Sequence, residues 1–376
     1  MSEFVHKPEE VGFASDRFSK AYEIMGSAIR EGTLLGGAIQ VSRHGKTLPP
    51  ACFGRRQLRE NGLKVNPDTI FLVASITKPI VASAVMMLVE RGEASLDDYV
   101  AAIVPEFGQN GKEGVQIRHL LTHTSGLPDM LPDNLELRAR LAPMSEFVER
   151  ICTLPLMFQP GTRISYQSCG IALLGEIVRQ LDGREIHEFL REEFFEALGL
   201  VDTTLGKKEN RSDREAEIRI PGGASDYGAD EAHEWNWNSV YWRDLGAPWG
   251  GMMTTTSEMT RMCQLYLQGG SLNGVRVLAP TTVKAMTSDQ TVSFPRLIRS
   301  NPKERRWGLG WEIQDRDHPI FSDLASDETF GHTGATGTVA WMDPKTQTTC
   351  VIFTNDPAAA VLLRPRIGHA VAAALI

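Results

Sequence analysis

Phe71-Leu72-Val73-Ala74-Ser75-Ile76-Thr77-Lys78-Pro79-Ile80-Val81-Ala82-Ser83-Ala84-Val85-Met86-Met87-Leu88-Val89 is the stretch on which the folding of this chain turns. From Pro79 onward it is apolar around almost the whole helical circumference, which predicts a helix buried on every side. A proline is tolerated only near a helix start, so the start falls at Ser75 to Lys78. Ser75 then sits in the first turn, where unpaired N–H groups and the positive end of the helix dipole favour developing negative charge. Lys78 follows at i+3, on the same face and within side-chain reach. S-x-x-K also occurs as a helix-capping serine with a solvated lysine. Here Val73-Ala74 and Pro79-Ile80-Val81 flank the lysine, and a lysine in such surroundings is expected to have a depressed pKa. A serine beside such an amine is a candidate nucleophile.

The neighbouring segments alternate between strand-like and helical texture. Asp16 to Arg30 places Phe18, Tyr22, Ile24, Met25, Ala28 and Ile29 at helical spacing and predicts an amphipathic first helix. Ala38-Ile39-Gln40-Val41-Ser42 alternates as a strand does, and His44-Gly45-Lys46 predicts a turn into a partner strand reaching Cys52. From Ala94 to about Ala247 the pattern is helical, with helices predicted over Met144 to Cys152, Ile171 to Leu181 and Ile186 to Leu198. Strands return at Trp307 to Ile313, Thr338 to Met342 and Thr348 to Phe353, and Ala358 to Ile376 reads as a closing helix. The order predicts an α+β fold: one sheet fed by residues 1–94 and 250–376, flanked by terminal helices, with a mostly helical lobe inserted over 95–249.

With 376 residues the chain has ample length for a large core. Its net charge of −8, from 39 basic and 47 acidic residues, and the lack of a basic aromatic-interleaved block give nucleic-acid binding no support. Anionic membrane surfaces are disfavoured on the same ground, and no stretch reaches the ~18 apolar residues needed to span a bilayer. The segment Met1 to Glu10 has no apolar signal core, so the sequence as given predicts a cytoplasmic location. Cys52, Cys152, Cys169, Cys263 and Cys350 are scattered, without zinc-type spacing, and read as buried reduced thiols. His119 and His123 stand at i, i+4, but no glutamate lies between them and no third ligand is apparent, so no metal is expected.

Two further motifs can converge on Ser75. Gln159-Pro160-Gly161-Thr162-Arg163 predicts a turn, and Ile164-Ser165-Tyr166-Gln167-Ser168 leads from it to a helix. A tyrosine near a lysine ammonium can become a phenolate or relay a proton; it can equally just cover a helix end. Phe330-Gly331-His332-Thr333-Gly334-Ala335-Thr336-Gly337 has three glycines in eight residues ahead of a strand. It reads either as a glycine-rich turn or as a loop whose N–H groups face a substrate, as an oxyanion hole requires.

Ser75-x-x-Lys78, Tyr166-x-Ser168 and His332-Thr333-Gly334, in that order, resemble the motifs of the serine β-lactamase and penicillin-binding-protein superfamily. The resemblance is greatest to its class C β-lactamase-like branch, which includes family VIII carboxylesterases, D-aminopeptidases and acyltransferases. Leu120 to Leu127, Phe158 to Gly161 and Pro248 to Thr255 support it, over roughly residues 10–375. The resemblance implies an antiparallel sheet flanked by helices, a helical lobe, and an active site in the cleft between them. It implies Ser75 as acylated nucleophile, Lys78 as base or proton relay, Tyr166 as the second proton-transfer group, and the N–H groups of Ser75 and Ala335 as oxyanion hole. Ser168, His332, Thr333 and Gly334 are the implied substrate contacts, and no cofactor or metal is implied. The aromatic cluster of Trp235, Trp237, Tyr241, Trp242 and Trp249, after the acidic run Asp226 to Glu234, is either core or acyl-pocket wall, with Trp242 and Trp249 the candidates for the wall.

The chain departs from β-lactamases of that branch at two positions. They carry Tyr-x-Asn where Ser168 stands here, and a lysine where this chain has His332, an ordinarily neutral side chain at pH 7. Both differences weaken recognition of penicillins. The expected activity is therefore hydrolysis of small carboxylic esters through an acyl-Ser75 intermediate. The alternatives are an amidase, D-aminopeptidase or weak β-lactamase, an acyltransferase, and a non-catalytic acyl-binding or filament-forming relative. The expected partner is a small ester or amide.

Overall fold

The computed structural model describes residues 7–206, 213–220, 234–295, 297, 305–317, 319–359 and 363–376. Its main sheet is eight-stranded and antiparallel. Strands β1 (Gly36–Arg43), β2 (Lys46–Thr47) and β3 (Ala51–Gly54) come from the N-terminal part of the chain. A short strand, β4 (Phe71–Leu72), pairs in a second sheet with β6 (Met252–Thr254), which also takes β5 (Thr204–Leu205). The C-terminal part supplies β7 (Arg306–Trp307), β8 (Glu312–Ile313), β9 (Phe330–Gly334), β10 (Thr338–Asp343) and β11 (Thr348–Thr354). The order across the main sheet is β2-β1-β11-β10-β9-β8-β7, with β3 also on β1. First and last segments thus meet at its centre, Val41 opposite Cys350 and Ile39 opposite Ile352.

Period-two alternation makes each strand serve both faces. Ile39, Val41, Val339, Trp341, Cys350 and Ile352 share one core with α1 (Ser15–Arg30) and the C-terminal helix, from which Phe18, Met25, Ile367 and Val371 point inward. Ala38, Ala340, Met342, Val351 and Phe353 face the other core, which holds α2 (Thr77–Glu90), α3 (Cys169–Asp182) and α4 (Thr256–Leu267). The C-terminal helix, α5, spans Arg364–Ala373. In α2 every residue from Thr77 to Leu88 is buried, as its unbroken apolar circumference predicts. Among the described residues no helix is long and apolar enough to cross a membrane.

Several segments differ from the sequence expectation. Trp307 to Ile313 is no single strand: β7 and β8 fold back on each other, with Trp307 opposite Glu312. Gly310 permits the reversal, with φ +86 and an approach so close that a Cβ would stand 2.5 Å from the Ala82 Cβ. His332-Thr333-Gly334 lies on β9 rather than in a loop, and only Ala335 to Gly337 turns. The helix predicted over Ile186 to Leu198 is α-helical through Leu190 and then widens into a π-turn over Arg191–Glu196. Most of the acidic run Asp226 to Glu234, and three residues of the closing segment, lie outside the described residues.

Candidate active site

Ser75 lies between the short strand β4 and the start of α2. Phe71 and Leu72 pair with Thr254 and Met253, and the chain then enters a short 3-10 turn, Ala74–Ile76, before α2 begins at Thr77. Ala74 adopts φ +48, a left-handed conformation that costs an alanine energy and persists only where the surroundings enforce it. Thr77 provides that enforcement: its hydroxyl donates to the Ala74 carbonyl at 2.6 Å and accepts from the Met252 N–H at 3.0 Å. Ser75 remains partly exposed at the edge of this tight corner.

Lys78 has no solvent exposure, and its Nζ donates to Ser75 Oγ at 2.9 Å and to the Trp249 carbonyl at 2.8 Å. Burial lowers its pKa to about 7, with the Asp129 carboxylate pulling the other way. The amine is therefore part neutral at physiological pH. The Nζ also lies 4.7 Å from the Tyr166 ring centre. The Tyr166 hydroxyl is hydrogen-bonded to Ser75, but desolvation dominates and holds the phenol well above its ordinary pKa. Tyr166 is thus a neutral phenol, and of the two roles the sequence left open, proton relay fits this environment and phenolate does not.

His332 is buried on β9, and desolvation with the nearby Lys78 charge pushes its pKa down to about 3. Its Nδ1 lies 2.7 Å from the Thr333 carbonyl, so the neutral ring carries its proton there and leaves Nε2 as an acceptor. No hydrogen-bond partner for that Nε2 occurs among the described residues. Gly334 follows where only glycine fits, since a Cβ would stand 2.2 Å from the Val73 carbonyl oxygen. The next turn is tied to the Ser75 segment by Thr336 Oγ1 to Leu72 O, 2.7 Å, and Thr338 Oγ1 to Val73 O, 2.9 Å.

A cavity of about 500 Å³ opens over these groups, lined by Ser75, Tyr166, His332, Thr333, Gly334 and Ala335 together with Ile164, Arg305, Trp307 and Arg364. The last four escaped the sequence reading. Arg364 donates to the carbonyls of Gly334 at 3.0 Å and Thr338 at 2.6 Å, bracketing the Ala335 turn. Arg305 is half-exposed and its Nε lies 3.1 Å from the buried Glu312, whose pKa burial raises to about 7. The doublet Arg305-Arg306 before Trp307 was visible in the sequence, but nothing there indicated that its strand would reach Ser75.

Two expected substrate contacts take different positions. The Ser168 hydroxyl donates to Asp129 Oδ1 at 2.7 Å, and Ser168 borders, with Trp249, Phe147 and Asp129, a separate crevice of only about 10 Å³. Trp242 is buried beneath the Arg138 guanidinium, 4.2 Å from its ring centre, and lines neither space. Its amphipathic ring is satisfied by a cation rather than by substrate. His119 and His123 point to different tasks: His119 Nδ1 accepts from the Gln116 N–H at 3.0 Å, while the buried His123 ring stacks 4.8 Å from Tyr166 and 4.2 Å from Trp307. His123 thereby backs the Tyr166 ring, a role hidden from spacing. Among the described residues no group of three or more His, Cys, Asp or Glu side chains could hold a metal ion.

The family model described as Beta-lactamase matches residues 21–374, nearly the whole chain. The chain belongs to the Beta-lactamase family. It is a member of the serine β-lactamase and penicillin-binding-protein superfamily of hydrolases. An Escherichia coli K12 relative named "Putative D-alanyl-D-alanine carboxypeptidase" is 28% identical over 323 residues, covering 80% of this chain and 72% of the relative. A penicillin-binding-protein homologue from Caulobacter crescentus superposes with a TM-score of 0.79 at 25% identity, covering 97% of this chain and 99% of the other. A family VIII carboxylesterase shares the fold with a TM-score of 0.72 at 21% identity, over 92% of this chain and 93% of its own. EstCE1, a hydrolase with promiscuous acyltransferase activity, does so with a TM-score of 0.76 at 20% identity, over 95% and 98%.

Proposed function

We propose that this protein hydrolyses small carboxylic esters through an acyl-enzyme on Ser75, in a cleft between the sheet region (residues 1–94 and 250–376) and the helical lobe (95–249). The observation that carries the reading is the buried Lys78 amine, 2.9 Å from Ser75 Oγ and part neutral near pH 7. Neutral Lys78 accepts the Ser75 proton as Oγ bonds to the ester carbonyl carbon. The N–H groups of Ser75 and Ala335 receive the carbonyl oxygen as it gains negative charge. Collapse breaks the acyl–alkoxy bond, and the alcohol departs with a proton relayed from Lys78 through the Tyr166 hydroxyl. Water then attacks the Ser75 ester, gives its proton to the same pair, and releases the acid and free Ser75.

A neutral His332 supports esters over β-lactams, since it lacks the charge of the lysine that β-lactamases carry at that position, although Arg305 and Arg364 line the same cavity. The test is a panel of short-chain p-nitrophenyl esters with nitrocefin as comparator. Expected are faster ester than nitrocefin turnover, and an acyl mass increment on wild type that Ser75→Ala lacks. An increment persisting in Ser75→Ala overturns the nucleophile assignment, and nitrocefin turnover above ester turnover favours an amidase or β-lactamase. An added alcohol that outcompetes water for the acyl group would make the enzyme an acyltransferase. The name of the Escherichia coli relative favours keeping a D-alanyl-D-alanine peptide in the panel.

A further inference from the structure

The two ends of the Gly334-Ala335 peptide are treated differently by their surroundings. The Gly334 carbonyl accepts twice, from the Gly337 N–H at 3.1 Å and from the Arg364 guanidinium at 3.0 Å. The Ala335 N–H, just past the end of β9, has no protein acceptor among the described residues, and Ala335 lines the Ser75 cavity. A trans peptide points its C=O and N–H in opposite directions, so a carbonyl fixed toward Arg364 turns the N–H away from that side chain. The same guanidinium nitrogen donates to the Thr338 carbonyl at 2.6 Å, and Thr338 is the ladder partner of Gly334. Arg364 thus ties both ends of the turn that carries Ala335.

A docked helix delivers this cation. Arg364 opens α5, whose Ile367 and Val371 are fully buried in the core shared with β10 and β11. Burial and the Arg305 charge lower its pKa, but only to about 10, so the guanidinium stays charged at neutral pH. Charge-assisted hydrogen bonds are stronger than neutral ones, and linked bonds polarise one another. A cation on the Gly334 oxygen draws density from the amide nitrogen, which makes the Ala335 N–H a better donor to an anion. The Thr338 hydroxyl, bonded to Val73 O at 2.9 Å, anchors the same turn without bringing charge to that peptide.

We propose that Arg364 is a positioning residue for ester hydrolysis: by bonding the Gly334 carbonyl it aims the Ala335 N–H at the developing oxyanion and strengthens it as a donor. The role rests on the hydrolase reading above and gives the C-terminal helix a part in the chemistry.

The test uses neutral p-nitrophenyl butyrate, so no substrate carboxylate meets either cavity arginine, with rates expressed per Ser75 titrated by a fluorophosphonate. Losing an oxyanion donor outright costs about 10²–10³-fold in kcat, and Arg364→Met, which only withdraws support from one, should cost about tenfold. Arg364→Lys, which keeps the cation, should recover part of that loss. The decisive signature is the carbonyl stretch of the acyl-Ser75 adduct formed from a cinnamoyl ester, read by difference infrared spectroscopy. It should rise in Arg364→Met as the oxyanion hole weakens and stay at the wild-type value in Thr338→Val, which loosens the turn without removing the charge. A wild-type kcat in Arg364→Met, or a stretch that it leaves unmoved or that Thr338→Val moves as far, overturns the proposal. If Arg364→Met does not fold, Arg364→Gln, an uncharged donor, replaces it under the same criteria. Should wild type form no acyl adduct with any ester, the hydrolase reading fails and the polarised peptide is decided separately. With ¹³C-carbonyl glycine and ¹⁵N-alanine labels, the Gly334-Ala335 signal, identified by its loss in Ala335→Gly, should show its carbonyl carbon moving upfield in Arg364→Gln. A carbon resonance that stays in place overturns the bond on which the role depends.

Discussion

Lys78 is the residue on which the proposed chemistry turns, and its environment sets a pH dependence. A base must be neutral to act, and burial has brought this amine's pKa to about 7. The kcat/KM for a neutral ester should therefore rise with pH through an apparent pKa near 7 and then level off. His332, lowered to about 3, contributes no step between pH 5 and 8. A profile flat from pH 5 to 9 would contradict the role of Lys78. Lys78→Met should cost about 10²–10⁴-fold in kcat, the usual range for a positioned general base. Tyr166→Phe should cost less if Lys78 alone can return the proton, and stopped-flow measurement of acylation separates the two.

At the scale of elements, the site depends on how closely β9 and the β4 corner approach. Gly334 lies against the Val73 carbonyl with no room for a methyl group. Gly334→Ala should force the strands apart, costing roughly 1–3 kcal/mol in urea unfolding as overpacking does. The loss of ester turnover should exceed what the unfolded fraction explains, because the Ala335 N–H moves with the turn. Thr338→Val removes the hydroxyl bond to Val73 O and should cost about 1 kcal/mol with a smaller effect on rate. Gly334→Ala with wild-type turnover would show that the close approach has no bearing on activity. The elements themselves were largely legible. Alternation or short apolar runs found β1, β10 and β11, helical spacing found α1, an all-round apolar run found α2 and helical texture found α3, because those patterns are local. The β7–β8 reversal was not, since its reason is Gly310 against α2, a contact between distant segments.

At the scale of the whole molecule, burying Lys78 should leave a signature in stability. Its folded pKa, about 7, lies below the ordinary 10.5. Between those values the unfolded chain binds more protons, so this group's contribution makes stability rise with pH from about 7 upward. At and below pH 7 the folded protein instead carries the cost of the buried amine. Other buried groups titrate at high pH, so the useful quantity is the difference between wild type and Lys78→Met in chemical denaturation from pH 7 to 9. Wild type should gain on the variant by about 1.4 kcal/mol per pH unit at most. A difference that stays constant over that window would mean that Lys78 titrates as a solvated lysine.

The sequence by itself determined that a buried helix follows Ser75 and that strands from both ends of the chain flank a helical middle, and it made Ser75, Lys78 and Tyr166 candidates for acyl chemistry. The first two follow from local periodicity and unbroken apolar runs, the third from the resemblance of three ordered motifs, since each motif alone has commoner uses. Only the tertiary structure decided that Tyr166 stays a neutral phenol and that burial lowers the pKa of His332, already read as neutral at pH 7, to about 3, because desolvation depends on the packing around a group. It alone turned Ser168 onto Asp129 and buried Trp242 under Arg138. It alone brought Arg305 and Arg364 to the cavity, from positions 230 and 289 residues after Ser75. Proximity across such separations belongs to the closed sheet and its packed helices, not to any pattern along the chain.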